Sequence, residues 1–227
     1  MRNKFSEIVF MVGFLLALAL IYSCSSGCGG DEYTGGSCDA ADYGSVDIGG
    51  QIWMAKNWGC YAPGSKCYNN DPANCDKYGR LYDWSTAMGI DAKYNSQSWG
   101  GSDLKHKGIC PTSWHLPSDV EWTTLINYVE NDKGCGSCAG GHLKATSDWY
   151  SGGNGLDSYR FAALPGGGGY SVGYFGNAGY YGIWWSSTEN DDYYHAYILG
   201  MFYLNEFVDR VYSNKSGSLF SVRCLQD

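Results

Sequence analysis

Apolar and polar positions divide the chain into stretches of different period. Residues 8–22 form an apolar run behind Arg2 and Lys4, the layout of a bacterial export signal. At roughly 15 residues the run is shorter than the ~20 needed to span a bilayer, so removal of residues 1–23 is expected, with an uncleaved anchor as the alternative. Residues 24–45 are Gly, Ser, Asp and Cys without apolar periodicity and predict a tether. A folded domain is expected over 46–227. It opens with Val46-Asp47-Ile48 and Gln51-Ile52-Trp53-Met54 across Gly49-Gly50, a hairpin pattern. Between Tyr78 and Met88, Leu81, Trp84, Ser85 and Met88 recur at helical spacing. A second helix starts at Ser118, paired with Glu121 as a capping box ahead of the stripe Trp122, Leu125, Ile126 and Val129. Beyond Gly140 the helical period disappears, and 161–164, 182–186, 195–199 and 219–224 read as strands between Gly-, Asn- and Asp-rich loops. Strands, two helices and then a cluster of strands predict an α+β fold in one domain.

Cysteine usage sharpens the picture. Ile21-Tyr22-Ser23 before Cys24 has the aliphatic and small residues of a lipobox, although Tyr22 is bulky for it. Lipidation of Cys24 would leave acyl chains as the membrane anchor, with ordinary signal cleavage as the alternative. Ten cysteines in an exported chain point to disulfides. Cys67 and Cys75 bracket a turn-rich loop and predict a local bridge. Cys135 and Cys138 read as a bridge at a loop tip. Zinc would need two further ligands, and no second CxxC or paired histidines supply them. Cys28, Cys38 and Cys60 stay unassigned.

The net charge is −8, with 15 basic and 23 acidic residues; losing Arg2, Lys4 and Glu7 leaves 13 and 22, a net −9. Such a surface repels phosphate backbones, so nucleic acid is not an expected partner.

Several segments together resemble the Fibrobacter succinogenes major paralogous domain, a family of bacterial exported proteins and lipoproteins. The resemblance rests on Trp53-Met54-Ala55-Lys56-Asn57, Tyr78-Gly79-Arg80-Leu81-Tyr82, Gly108-Ile109-Cys110-Pro111 running into Trp114-His115-Leu116-Pro117, Ala163-Leu164-Pro165, Trp185-Ser186-Ser187-Thr188-Glu189 and Ser221-Val222-Arg223-Cys224. Trp58, Ser113 and Leu219 depart from the pattern at packing and turn positions. That family is similar to the wider C-type-lectin-like superfamily. The similarity implies two helices, small antiparallel sheets, long irregular loops on one side, chain ends close together and a long-range bridge from Cys110 to Cys224.

Candidate chemistry is sparse. There is no GxSxG elbow, and His115, inside an apolar run, reads as a core histidine. Glu121, Glu189, Asp191 and Asp192 are carboxylates a glycosidase could use, but Glu121 is accounted for by the helix cap. Cys135 and Cys138 do not match the setting of a formylglycine-generating site, so no enzymatic activity and no cofactor are expected. Calcium is an open option, through Asn69, Asn70, Asp71, Asn74 and Asp76 or through Glu189, Asn190, Asp191 and Asp192, but turn residues and solvated charge are the preferred reading of both runs.

The most unusual segment is 166–185, where Tyr170, Tyr174, Phe175, Tyr180, Tyr181, Trp184 and Trp185 alternate with glycines. Trp184 and Trp185 read as core. Tyr170, Tyr174, Phe175, Tyr180 and Tyr181, beside Glu189–Asp192, are the expected ligand surface, because aromatic faces stack on sugar rings. The resulting expectation is a lipid-anchored binding module at the outer membrane or cell surface whose partner is an extracellular glycan. A structural or envelope-protein-binding role is the alternative.

Overall fold

A computed structural model describes residues 36–102 and 104–227. The export signal, Cys24 and Cys28 lie outside the described residues. Strands β1 (Ser45–Ile48) and β2 (Gln51–Met54) form the expected hairpin, paired Ile48 to Gln51 across the two glycines. Helix α1 (Pro72–Tyr78) and helix α2 (Trp84–Met88) follow, then strand β3 (Trp114–His115), helix α3 (Asp119–Lys133) and helix α4 (Ala139–Leu143). The remaining strands are β4 (Gly168–Tyr170), β5 (Phe175–Gly176), β6 (Tyr181–Glu189), β7 (His195–Phe202), β8 (Val208–Asn214), β9 (Ser218–Leu219) and β10 (Leu225–Gln226). They make three small antiparallel sheets in the orders β1-β2-β10-β3, β5-β4-β9 and β6-β7-β8. The first of these places the start and the end of the domain side by side, with Leu225 opposite Trp53 on one edge and His115 on the other.

Local chemistry explains most helix ends. Ser118 accepts from Glu121 N while the Glu121 carboxylate accepts from Ser118 N, so the capping box forms as predicted. The helix expected over 78–88 forms only as α2 over its last five residues, and α1 instead occupies the end of the loop expected between Cys67 and Cys75. Gly79 ends α1 at φ 78°, and a Cβ there would sit 2.8 Å from Trp58 O and from Asn57 Cβ. Asp83 then caps α2 by accepting from Thr86 N. With α4 as well, the described residues hold four α-helices where two were expected.

Two strand expectations also change. Over 161–164 only Ala163 pairs, in a single bridge to Lys144. Over 219–224, β9 ends at Leu219, Phe220 and Ser221 make only single bridges to Tyr82 and Trp184, and the chain re-enters a sheet at Leu225 after Arg223, which turns fully inward. Its guanidinium donates to Asn57 Oδ1 at 2.7 and 3.0 Å and to the Met54 and Phe161 carbonyls, and Trp184 Nε1 donates to the same Asn57 oxygen at 2.8 Å. Burial lowers the Arg223 pKa to about 9, against the pull of Asp157. Strand β8 was not foreseen.

Two apolar clusters form the core. One gathers Trp58, Tyr82, Trp84, Cys110, Trp185 and Cys224; the other gathers Trp53, Trp122, Leu125, Phe161, Trp184 and Leu199. Trp184 and Trp185, neighbours on β6, point to opposite faces and enter different clusters, both fully buried as expected. Disulfides join Cys67 to Cys75, Cys110 to Cys224 and Cys135 to Cys138, and also Cys38 to Cys60. The last bridge and the buried ring of Tyr43, whose hydroxyl accepts from Gly59 N, fasten the end of the stretch read as tether to the domain. Among the described residues no helix is long and apolar enough to cross a membrane.

Candidate ligand-binding surface

Strands β6 and β7 run antiparallel, with Tyr181 opposite Phe202 at the end of the ladder. Their rings stack at 4.5 Å. One residue further out, Tyr203 N donates to Tyr180 O, which sets the next two aromatics beside each other at 5.3 Å, edge to face. Tyr150 completes the group. Its backbone N–H donates to Gly179 O, and its ring stacks on Tyr180 at 4.6 Å and meets Tyr203 edge-on at 5.6 Å. Phe202 also packs edge-on against Tyr203 at 4.7 Å. Five aromatic rings therefore form one continuous cluster on the end of a hydrogen-bonded hairpin, with Tyr150 52% and Tyr180 37% exposed. Each ring is braced by another, so little rotamer freedom remains for a ligand to remove.

Of the tyrosines expected at the surface, only Tyr180 and Tyr181 belong to this cluster. Tyr170 and Tyr174 are exposed at 59% and 73%, but they sit on the separate β4–β5 turn, where Tyr170 N donates to Tyr174 O. Phe175 packs on Tyr68 at 5.6 Å.

The acidic run lies elsewhere. Tyr181 and Glu189 are the two ends of β6, so about 26 Å of strand separates them at ~3.3 Å per residue. Glu189 is not available to a sugar hydroxyl or a cation. Its carboxylate pairs with Lys215 Nζ at 2.6 Å and accepts the Trp99 N–H at 3.0 Å and the Gly100 N–H at 3.3 Å. Lys215 is wholly buried, lies over the Trp84 ring at 4.6 Å and donates to Gln97 O, so Glu189 is the counter-charge of a core ammonium. Asn190 Oδ1 accepts from Asp191 N, and Asp192 accepts from Tyr194 N and His195 N, which folds the run into a self-capped turn. In the other polar loop, Asp71 caps α1 through Ala73 N and Asn74 donates to Tyr68 O. Among the described residues no group of three or more His, Cys, Asp or Glu is placed to hold a metal ion.

His115 is buried in a clamp. Nδ1 bonds Asp227 and Nε2 bonds Glu121, both at 2.9 Å. Burial alone would depress the imidazole pKa, but the two carboxylates outweigh it and the net shift is upward. Both ring nitrogens are engaged, in keeping with a structural histidine.

Tyr150, Phe202 and Tyr203 were missed from the sequence. A faint signal existed for two of them, since Phe202-Tyr203 extends the apolar run of 195–199 and pairs naturally with the residues before Gly182. Tyr150 carries no such signal, because only the fold brings it 30 residues along the chain to Tyr180.

No curated protein and no solved structure matches this chain. Residues 46–226 match the Fibrobacter succinogenes major domain. The matched stretch takes in both apolar cores except Tyr43, the Cys110–Cys224 bridge and every ring of the exposed cluster, and the chain belongs to the Fibrobacter succinogenes major domain family.

Proposed function

We propose that this protein is a cell-surface lipoprotein, anchored through Cys24, whose folded part is a non-catalytic, C-type-lectin-like module that binds polysaccharide. The observation that carries the reading is the exposed cluster of Tyr150, Tyr180 and Tyr203 on the stiff β6–β7 hairpin. Rigid aromatic edges and faces offer large apolar contact to the C–H face of a sugar ring, while their hydroxyls reach its polar rim. The test is retention of purified domain on insoluble cellulose, xylan and mannan. Tyr150→Ala and Tyr180→Ala should each weaken retention strongly, whereas Tyr174→Ala, on the other turn, should not. The domain should stay folded, each cluster variant losing about 0.5–1.5 kcal/mol per aromatic pair removed, and Tyr174→Ala, at an exposed position, about 0.5 kcal/mol or less. Retention of both cluster variants at the wild-type level would remove the site.

A second reading is a structural or protein-binding component of the envelope. It is favoured by β8, an edge strand that exposes Val211 and Tyr212 and has, among the described residues, no partner strand on one side.

A further inference from the structure

A cleft of about 260 Å³ opens beside the aromatic cluster and shares Tyr203 with it. Three segments build it, and backbone hydrogen bonds tie them together. Leu156 N donates to Gly141 O at 2.8 Å, Ser158 N to His142 O at 2.9 Å, and Gly141 N to Glu206 O at 2.9 Å. The cleft is therefore formed before any ligand arrives. It is smaller than the ~300 Å³ at which drug-sized pockets begin, so it suits one small unit.

The chemistry of the lining is mixed. Asn154 Oδ1 accepts from Trp149 N, which leaves the Asn154 amide protons uncommitted among the described residues. Asn205 Oδ1 has no donor among the described residues, but it is itself buried and does not face the open cleft. The Glu206 carboxylate makes no hydrogen bond among the described residues and acts on Lys144 only through space. Lys144 is the unusual member. It is 3% exposed, and its ammonium donates to the Phe202 and Asn205 carbonyls over the Trp149 ring, with no carboxylate in bonding contact among the described residues. Burial lowers its pKa, and Glu206 opposes that.

The Asn154 amide and the Glu206 carboxylate, one uncommitted donor and one uncommitted acceptor on the same lining, match hydroxyl groups, each of which both donates and accepts. A uronate or sulfate would find Glu206 against it, and a cation would meet Lys144. Leu156 and Leu204, both exposed at the rim, and Tyr203 supply apolar contact. We infer that this cleft holds one neutral pyranose unit of a glycan whose neighbouring units lie against Tyr180 and Tyr150. This rests on the polysaccharide-binding reading above and assigns its ligand as a neutral rather than an acidic sugar chain.

Calorimetric titration of the intact domain with cellotriose, xylotriose, mannotriose and trigalacturonate tests it. At least one neutral trimer should bind, and trigalacturonate should bind more weakly. Gly152→Asn adds a side chain at a cleft position that has nothing within 4 Å and a positive φ that Asn adopts more readily than most residues, so it should lower affinity by roughly tenfold while the domain stays folded. Glu206→Ala should lower affinity for the neutral trimer by roughly fivefold, the scale of one hydrogen bond, and narrow the gap to trigalacturonate. If Tyr150→Ala abolishes binding while both cleft variants bind as wild type, the cleft inference is overturned and the cluster reading stands. Stronger binding of trigalacturonate also overturns it. A wild type that binds none of the four, and is retained on no polysaccharide, overturns both.

Discussion

Replacing Glu189 with alanine strands a buried ammonium. Lys215 has no exposed surface, and the carboxylate 2.6 Å from its Nζ is its only negative partner among the described residues. The same substitution removes the acceptor for the Trp99 and Gly100 N–H groups, which anchor residues 97–100 to the end of β6. Removing one partner of a buried pair costs about 3–5 kcal/mol, because the other charge stays desolvated. Glu189 retains 16% side-chain exposure, so water can partly replace it and the lower end, about 3 kcal/mol, is expected. For a chain of this size that corresponds to a Tm lowered by about 6–12 °C. Thermal unfolding followed by tryptophan fluorescence without reductant would measure it, because Trp84 lies under the ammonium. Asp191→Ala is the control: the residue is exposed, its carboxylate makes no hydrogen bond among the described residues, and it should change stability by within about 0.5 kcal/mol. Removing both charges in Glu189→Ala with Lys215→Met should recover part of the loss. A single Glu189→Ala variant that melts with the wild type would refute the assignment of this carboxylate to the core.

Three other outcomes follow from the geometry. Exchanging both Cys110 and Cys224 for serine opens a closure spanning 114 residues and should destabilise the domain by about 4–5 kcal/mol on the loop-entropy model, read from denaturant unfolding. The His115 clamp gives a pH signature. Its imidazole pKa is raised from 6.5, so its contribution is complete below pH 6.5 and is lost as the pH rises through the folded value. Although burial pushes Glu121 the other way, its bonds to His115 and Ser118 prevail and its pKa falls below 4.5, so its contribution is present above pH 4.5 and lost as the pH falls through the lowered value. The stability gap between wild type and His115→Gln should therefore be widest between pH 4.5 and 6.5 and narrow at higher pH, as urea midpoints across the range will report. Mass spectrometry of the mature N-terminus should find an acylated Cys24, and an intact Met1 or an unmodified N-terminus would remove the lipid anchor from the proposal.

What could be read from the sequence follows the range of each interaction. The β1–β2 hairpin and the capping box of α3 depend on residues within nine positions of each other, and both form as their patterns imply. The Cys67–Cys75 bridge is legible for the same reason. The split between α1 and α2 is not, since Gly79 is needed where the chain passes Asn57 and Trp58, a contact no local pattern records. Strand β8 alternates weakly because it is an edge strand with polar residues on both faces. The acidic run near Glu189 looked like a ligand surface because its neighbours are loop residues. Its true partner, Lys215, lies 26 residues away and reads as an ordinary surface lysine. The aromatic cluster was half legible: Tyr180 and Tyr181 stood out among glycines, whereas Tyr150 and Tyr203 arrive from other segments.

The side-by-side tryptophans of β6 have a consequence for how the domain unfolds. A strand with one indole in each cluster cannot leave the first without withdrawing from the second, and sliding it by one residue would exchange Trp184 for Trp185 and put each ring on the wrong face. The two halves are thus mechanically coupled through nine residues. Amide protons in the middle of β6 should exchange with solvent only when the whole domain opens, and heating should produce a single cooperative transition, with no stage at which one cluster is molten while the other remains packed.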